Sequence, residues 1–165
     1  MVAILFVTPK DRCTIIMTEI RFYHMQTQTL DEVLPRLLVK AYGMEKKIIV
    51  RTEHDQEAER LNKHLWTFHP QYFLPHGAKK NGNADLQPIW LTAKEENPNE
   101  AKILFLTSGT SWDELEQFDL VCELLDGFDA AAIKAGRQRW KAYKDAGHDL
   151  TYWQQNEKGG WDKKA

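Results

Sequence analysis

Ile48-Ile49-Val50 is a run without alternation, set between Lys46-Lys47 and Arg51. A strand with one face in water alternates apolar and polar residues. A run that is apolar throughout fits a strand covered on both faces, as in a parallel sheet. The flanking sequence agrees. Ile20, Phe22 and Tyr23 mark a short first strand, and Thr29-Leu30-Asp31-Glu32 has the form of a capping box. Leu30, Val33, Leu34, Leu37, Leu38 and Ala41 then follow at helical spacing, closed by Gly43. Pro35 falls inside that helix, where its missing amide hydrogen predicts a kink or a late start. Asp55 is placed to cap a second helix carrying Ala58, Leu61, Leu65 and Trp66. A β-α-β-α opening predicts an α/β fold: a three-layer, Rossmann-like, mostly parallel sheet with helices on both faces.

Further along, His69 to Asp85 reads as a long irregular surface loop, rich in Pro, Gly and Asn. Ile89–Leu91, Ile103–Leu106 and Leu120–Leu125 are strand candidates, the last read as the final strand. One long helix is expected from Asp129 to about Ala146, ended by Gly147. The polar, lysine-rich segment 151–165, with Gly159-Gly160, reads as a frayed tail. Residues 1–16 open on a brief apolar run that Pro9, Lys10, Asp11 and Arg12 interrupt before any cleavage site. They are read as an extension, non-native or disordered, with Met17 an alternative start. The expected organisation is therefore an extension over 1–16, a single domain over 17–150 and a tail over 151–165. No apolar segment is long enough to span a membrane.

Several chemistries are missing where this architecture would carry them. The first β-α connection, His24 to Thr29, has no glycine, and neither a phosphate-binding P-loop nor a dinucleotide GxGxxG follows any strand. His54, His64, His69 and His76 lie near one another in sequence but match no metal-ligand spacing, and they read as surface histidines. Ser108 and Ser111 lack a nucleophile-elbow pattern. The two cysteines, Cys13 and Cys122, form no CxxC, so a reducing, cytoplasmic compartment is the default. With 165 residues and a net charge of -2, the chain is one domain without the positive balance of a duplex-DNA binder. No cofactor, metal or catalytic residue is expected.

One cluster stands out. Lys134-Ala-Gly-Arg-Gln-Arg-Trp-Lys-Ala-Tyr-Lys144 holds five basic residues and no acid. On a helix Arg137, Trp140, Lys141 and Lys144 share a face, with Tyr143 beside Trp140. An aromatic ring between an arginine fork and a lysine charge suits a group both apolar and anionic, such as a peptide C-terminus ending in an aromatic residue. Two blander roles compete: the cations complement the helix dipole, and the rings pack on the sheet. A single-stranded nucleic-acid site and a small α/β enzyme compete as well.

Phe22-Tyr23 before a capped helix, Leu65-Trp66, Phe73-Leu-Pro-His76 and the block Arg137-Gln-Arg-Trp-Lys-Ala-Tyr-Lys144-Asp-Ala-Gly147 resemble the chi subunit of the bacterial DNA polymerase III holoenzyme. The resemblance runs from about Arg21 to Leu150. It implies a non-enzymatic accessory subunit with a Rossmann-like fold. The implied partners are the acidic C-terminal tail of single-stranded DNA-binding protein, the psi subunit and clamp loader, and a repair helicase. Carried over by position, Arg137 and Lys141 would pair with the tail's carboxylates, and Trp140 would meet its aromatic end. Phe73 would wall the same pocket, with Trp66, Tyr143 and Lys144 as further members. Asp126 falls where an apolar pocket residue is expected.

Overall fold

The computed structural model describes residues 17–107 and 109–165. The expected extension over 1–16, and Ser108, lie outside the described residues. In chain order the elements are β1 (Glu19–Met25), α1 (Leu30–Tyr42), β2 (Ile48–Arg51), α2 (Asp55–Thr67), β3 (His76–Ala78), β4 (Ile89–Thr92), β5 (Ile103–Leu106), β6 (Leu120–Asp126), α3 (Ala130–Asp145), β7 (Asp149–Gln155) and β8 (Trp161–Lys163). Among the described residues eight strands form one sheet, ordered β3-β4-β2-β5-β6-β1-β7-β8. Only β7–β8 is antiparallel. β2 pairs with β4 on one side and β5 on the other, and Ile48, Ile49 and Val50 are each 0% exposed.

Successive side chains of a strand point to opposite faces. One face, with Tyr23, Met25, Ile48, Val50 and Phe105, is covered by α1 and α2 through Leu34, Leu38, Leu61 and Leu65. The other, with Phe22, Ile49, Leu104, Val121 and Leu125, is covered by α3 and by Trp112, Leu115 and Phe118. The three layers predicted from the opening β-α-β-α are present. Because β1 lies between β6 and β7, the β6–α3–β7 crossover carries α3 across β1, where Trp140 packs edge-on against Phe22 with ring centroids 5.2 Å apart.

The segment 151–165 does not fray. β7 pairs in parallel with β1, so β6 is not the last strand, and the chain turns back at Gly159-Gly160 to add β8. Asn156 organises that turn by accepting from the Gly160 amide at 2.9 Å, with Gly159 at φ 78°. Trp161 lays its ring against Tyr23 at 5.0 Å. Gln155, 2% exposed, accepts the backbone amides of Gln26, Thr27 and Gln28 at 3.2, 3.1 and 3.0 Å. Nucleotide-binding α/β proteins hold a phosphate at this turn before the first helix. Here the chain fills it with its own side-chain carbonyl.

Smaller expectations also change. The 69–85 loop contains β3, too short to show alternation, paired with β4 at the sheet edge. His54, not Asp55, is the cap of α2. His76 is buried rather than at the surface, its ring nitrogens 2.6 and 2.9 Å from the carbonyl oxygens of Leu74 and Asn62. α1 runs through Pro35 from Leu30 to Tyr42, so the predicted late start does not occur.

Candidate functional site

α3 starts where the Asp129 carboxylate accepts the Ala131 amide at 2.9 Å. It ends where Gly147, at φ 87°, lets the Gly147 and His148 amides fold back onto the carbonyls of Lys144 and Tyr143. Gly136 is the one buried residue of α3. A Cβ on it would lie 2.7 Å from Leu125 Cδ2, so glycine permits the helix to sit this close to β6.

A buried ion pair anchors the helix. Glu123 of β6 is 0% exposed and takes a fork from Arg139, Nε at 3.0 Å and Nη2 at 2.9 Å, plus the Tyr143 hydroxyl at 2.8 Å. Burial pushes the Glu123 carboxyl above its ordinary range, against the opposing pull of Arg139 and Tyr143. Burial, and then Glu123, raises the Tyr143 phenol. Tyr143 and Arg139 thus face inward onto the same carboxylate.

Beside this anchor, between α3, β1, β6 and β7, lies a hollow of about 300 Å³ lined by Phe22, Leu125, Ile133, Gly136, Arg137, Trp140, Tyr152 and Ala165. This is the small end of ligand-cavity sizes, room for one aromatic side chain and its neighbour. Arg137 is the only Asp, Glu, Lys or Arg side chain in the lining. Lys134, Arg137, Lys141 and Lys144 are all exposed, and none has an ion-pair partner among the described residues. An apolar slot with a free guanidinium at its wall and uncompensated lysines along the same helix can hold an aromatic group that carries negative charge. Two larger hollows, each about 620 Å³, are lined by charges of both signs: Asp31, Glu32, Arg36 and Lys40 in one, Asp55, Glu59, Lys79 and Lys80 in the other.

The structure brings together only part of the predicted set. Arg137 and Trp140 line the cavity, and Lys141 and Lys144 continue the exposed stripe. Tyr143 does not line it, because its hydroxyl is held by Glu123. Phe73 does not wall it either. Phe73 and Trp66 pack on each other at 5.9 Å, where α2 leads into β3. Leu65 and Leu74 beside them belong to the opposite face of the sheet. β3 is also five strands from β1, roughly 24 Å at the usual strand spacing. The apolar residue expected near Asp126 is its neighbour Leu125; Asp126 itself accepts the Phe128 amide at 2.9 Å. Phe22, Ile133 and Tyr152 were not anticipated as lining residues. The alternation Ile20-Phe22-His24 signals which side chains of β1 share a face, whereas Tyr152 lies in the segment read as frayed.

Other chemistry leaves little trace. Among the described residues no three His, Cys, Asp or Glu side chains converge as metal ligands, and no helix is long and apolar enough to cross a membrane. Cys122 is buried, and burial pushes its thiol up to about 12, far from a reactive thiolate.

Residues 17–151 match the family described as DNA polymerase III chi subunit, HolC. The chain belongs to this family. It is 28% identical over 159 residues to the probable DNA polymerase III subunit chi of Rickettsia prowazekii (strain Madrid E), covering 90% of this chain and 93% of the relative. It is 20% identical over 123 residues to the DNA polymerase III subunit chi of Escherichia coli (strain K12), covering 74% and 83%. The chi-family match spans α3 and most of the cavity lining, and it stops within β7 just before Tyr152.

Proposed function

We propose that this chain is a non-catalytic accessory subunit of the bacterial replicative polymerase, working in the cytoplasm. In this reading its α3 cavity captures the acidic C-terminal tail of single-stranded DNA-binding protein. Through psi, where psi is present, it ties that tail to the clamp loader. Membership of the chi family supports the accessory role. The observation that carries the tail assignment is the coincidence, on one helix, of an apolar slot for an aromatic side chain with four cations that no acid of the described chain neutralises. In this reading the tail's final aromatic residue enters between Phe22, Leu125, Trp140 and Tyr152. Arg137 takes its carboxylate, and Lys141 and Lys144 face the acidic residues before it. Trp66 and Phe73 stand outside this pocket.

Direct stacking of nucleic-acid bases fits α3 less well. Trp140 packs edge-on against Phe22 and Tyr152, and Tyr143 packs on Phe22 with its hydroxyl held by Glu123, so both rings are committed to the fold rather than set out as a row of stacking platforms.

The test is calorimetric titration with an acidic peptide ending in Pro-Phe, at low and physiological salt, against a control lacking the Phe. The expected result is 1:1 binding with a Kd on the order of micromolar, weakened by salt and dependent on the Phe. Arg137→Ala and Lys141→Ala should each weaken it markedly while melting like the parent. Parent-like binding by both variants would place the tail elsewhere.

A further inference from the structure

Tyr152 and His24 stand beside the cavity with chemistry that apolar packing does not require. Tyr152 lines the cavity from β7, and its hydroxyl lies 2.6 Å from Nδ1 of His24 on β1. His24 shares the face of Phe22 and is only 9% exposed, yet its Nε2 is buried without a hydrogen-bond partner among the described residues. The turn from β6 to α3 closes over the ring at Gly127. A Cβ there would sit 2.9 Å from Nε2 and would collide with the Met25 carbonyl oxygen.

The groups facing the His24–Tyr152 pair come from every neighbouring element, and after β8 Ala165 lines the same cavity, its oxygen accepting the Tyr152 amide at 3.0 Å. From α3 the Arg137 guanidinium acts on both His24 and Tyr152. β7 contributes the neutral Tyr152, with Gln154 opposite His24 in register. β6 places apolar Leu125 opposite it, followed by Asp126, whose carboxylate already accepts the Phe128 amide. Burial first, and then Arg137, holds the imidazole below the ordinary histidine range, so the empty site favours neutral His24.

The bond between the phenol and Nδ1 holds one proton and can run in either direction. While Nδ1 is bare, the phenol donates to it. Once Nδ1 carries a proton, the imidazolium donates and the phenol's own proton is released toward the cavity. A carboxylate resting on Arg137 favours the second state twice over, by cancelling the repulsion on His24 and by accepting from the freed phenol.

We propose that Tyr152 and His24 complete the peptide site: the Tyr152 hydroxyl donates to the carboxylate held by Arg137, and His24 takes up a proton from solvent as it does so. This rests on the α3 cavity being a peptide site. No covalent bond changes, and one proton passes from buffer to His24 for each peptide that binds to the neutral form. A bound state with higher proton affinity than the free state binds more tightly as pH falls.

The experiment is titration of the full chain with the Pro-Phe peptide at about pH 6, 7 and 8, spanning the histidine range, in buffers of different ionisation enthalpy. Affinity should rise several-fold from the highest to the lowest pH, and the heat should change with buffer as protons are drawn from it. His24→Gln should bind with a flat pH profile. Tyr152→Phe should bind roughly 10- to 100-fold more weakly, the loss of one hydrogen bond to a charged group. Nitrogen-15 spectra of the His24 ring in the parent chain, with and without peptide, read its protonation without any variant. Binding that is pH-flat and buffer-independent overturns the proton linkage and leaves the peptide site standing. A pH dependence that survives His24→Gln, or a His24 ring indifferent to peptide, also overturns it. Absence of binding at every pH removes the site and the linkage together.

Discussion

Nε2 of His64 on α2 lies 2.7 Å from the carbonyl oxygen of Asp31 on α1. In a regular helix that carbonyl would accept from the amide four residues on, but that residue is Pro35, which has none. The neighbouring helix supplies the missing donor, which makes Nε2 the protonated nitrogen of the ring. This is how α1 carries an internal proline without breaking.

Replacing His64 with Ala should therefore cost about 1 kcal/mol of stability. In a Pro35→Ala background the carbonyl regains an intrahelical donor, and the same replacement should cost clearly less. Urea unfolding of the four proteins of this cycle measures the difference. Equal costs in both backgrounds would show that the hydrogen bond contributes nothing.

Gln155→Ala removes the acceptor of three backbone amides before α1. The expected loss is about 2–3 kcal/mol, or roughly 4–10 °C in Tm for a chain of this size. Gln155→Glu should fall between the two, because it keeps the acceptor but cannot donate to Gln28 Oε1 as Nε2 does at 2.8 Å. Thermal melts of the three proteins would rank them, and a parent-like alanine variant would contradict the account.

At Gly136, Ala brings a methyl against the end of Leu125, a flexible side chain that lines the cavity and must shift to make room. Alanine also favours the helix by about 1 kcal/mol over glycine. Gly136→Ala should therefore melt within a few degrees of the parent but bind the Pro-Phe peptide more weakly. Undiminished peptide affinity would show that the slot is not used.

Arg60 forks onto Asp31 at 2.7 and 2.8 Å and onto Glu57 at 2.8 and 2.9 Å. Its hydrogen bonds hold both carboxyls below their ordinary range. A carboxyl whose folded pKa is lowered adds stability that is complete above its unfolded value, about 4. That stability is lost as pH falls through the folded value. Arg60→Gln should thus cost at most about 1 kcal/mol at neutral pH, since all three groups are partly exposed and screened by solvent. The gap should close below about pH 4. Denaturant unfolding at neutral and acid pH would reveal a constant gap if ionisation were not the cause.

Much of the architecture was legible because burial leaves a signature. Ile48-Ile49-Val50 lost its alternation through contact on both sides, and α1 and α2 kept their apolar stripes because only one face of each meets the sheet. β7 and β8 left no such mark. They lie toward one edge, β7 is half-buried along most of its length, and the glycines that suggested fraying make a hairpin turn. The same limit applies to the site. Helical spacing placed Arg137, Trp140, Lys141 and Lys144 on one side of α3, but spacing within a helix says nothing about which face of the sheet it covers. Strand order decides that, and it puts Phe73 and Trp66 on the other face. Tyr143 was misread for a related reason: its partner Glu123 lies inside a strand that otherwise looks wholly apolar.

The position of β1 within the sheet also bears on how the chain can be made. Glu19 pairs with Leu120 on one side and with Asp149 on the other, both more than a hundred residues downstream. At ~10 residues per second, a nascent β1 waits on the order of ten seconds before either neighbour has left the ribosome. During that time Ile20 and Phe22, fully buried in the finished sheet, are without their partners. Local helices can form early, but the central pairing closes late, as expected of a sheet built from distant contacts. The nascent chain is thus most prone to aggregate before β6 and β7 arrive, and sealing β1 falls to strands made more than a hundred residues after it.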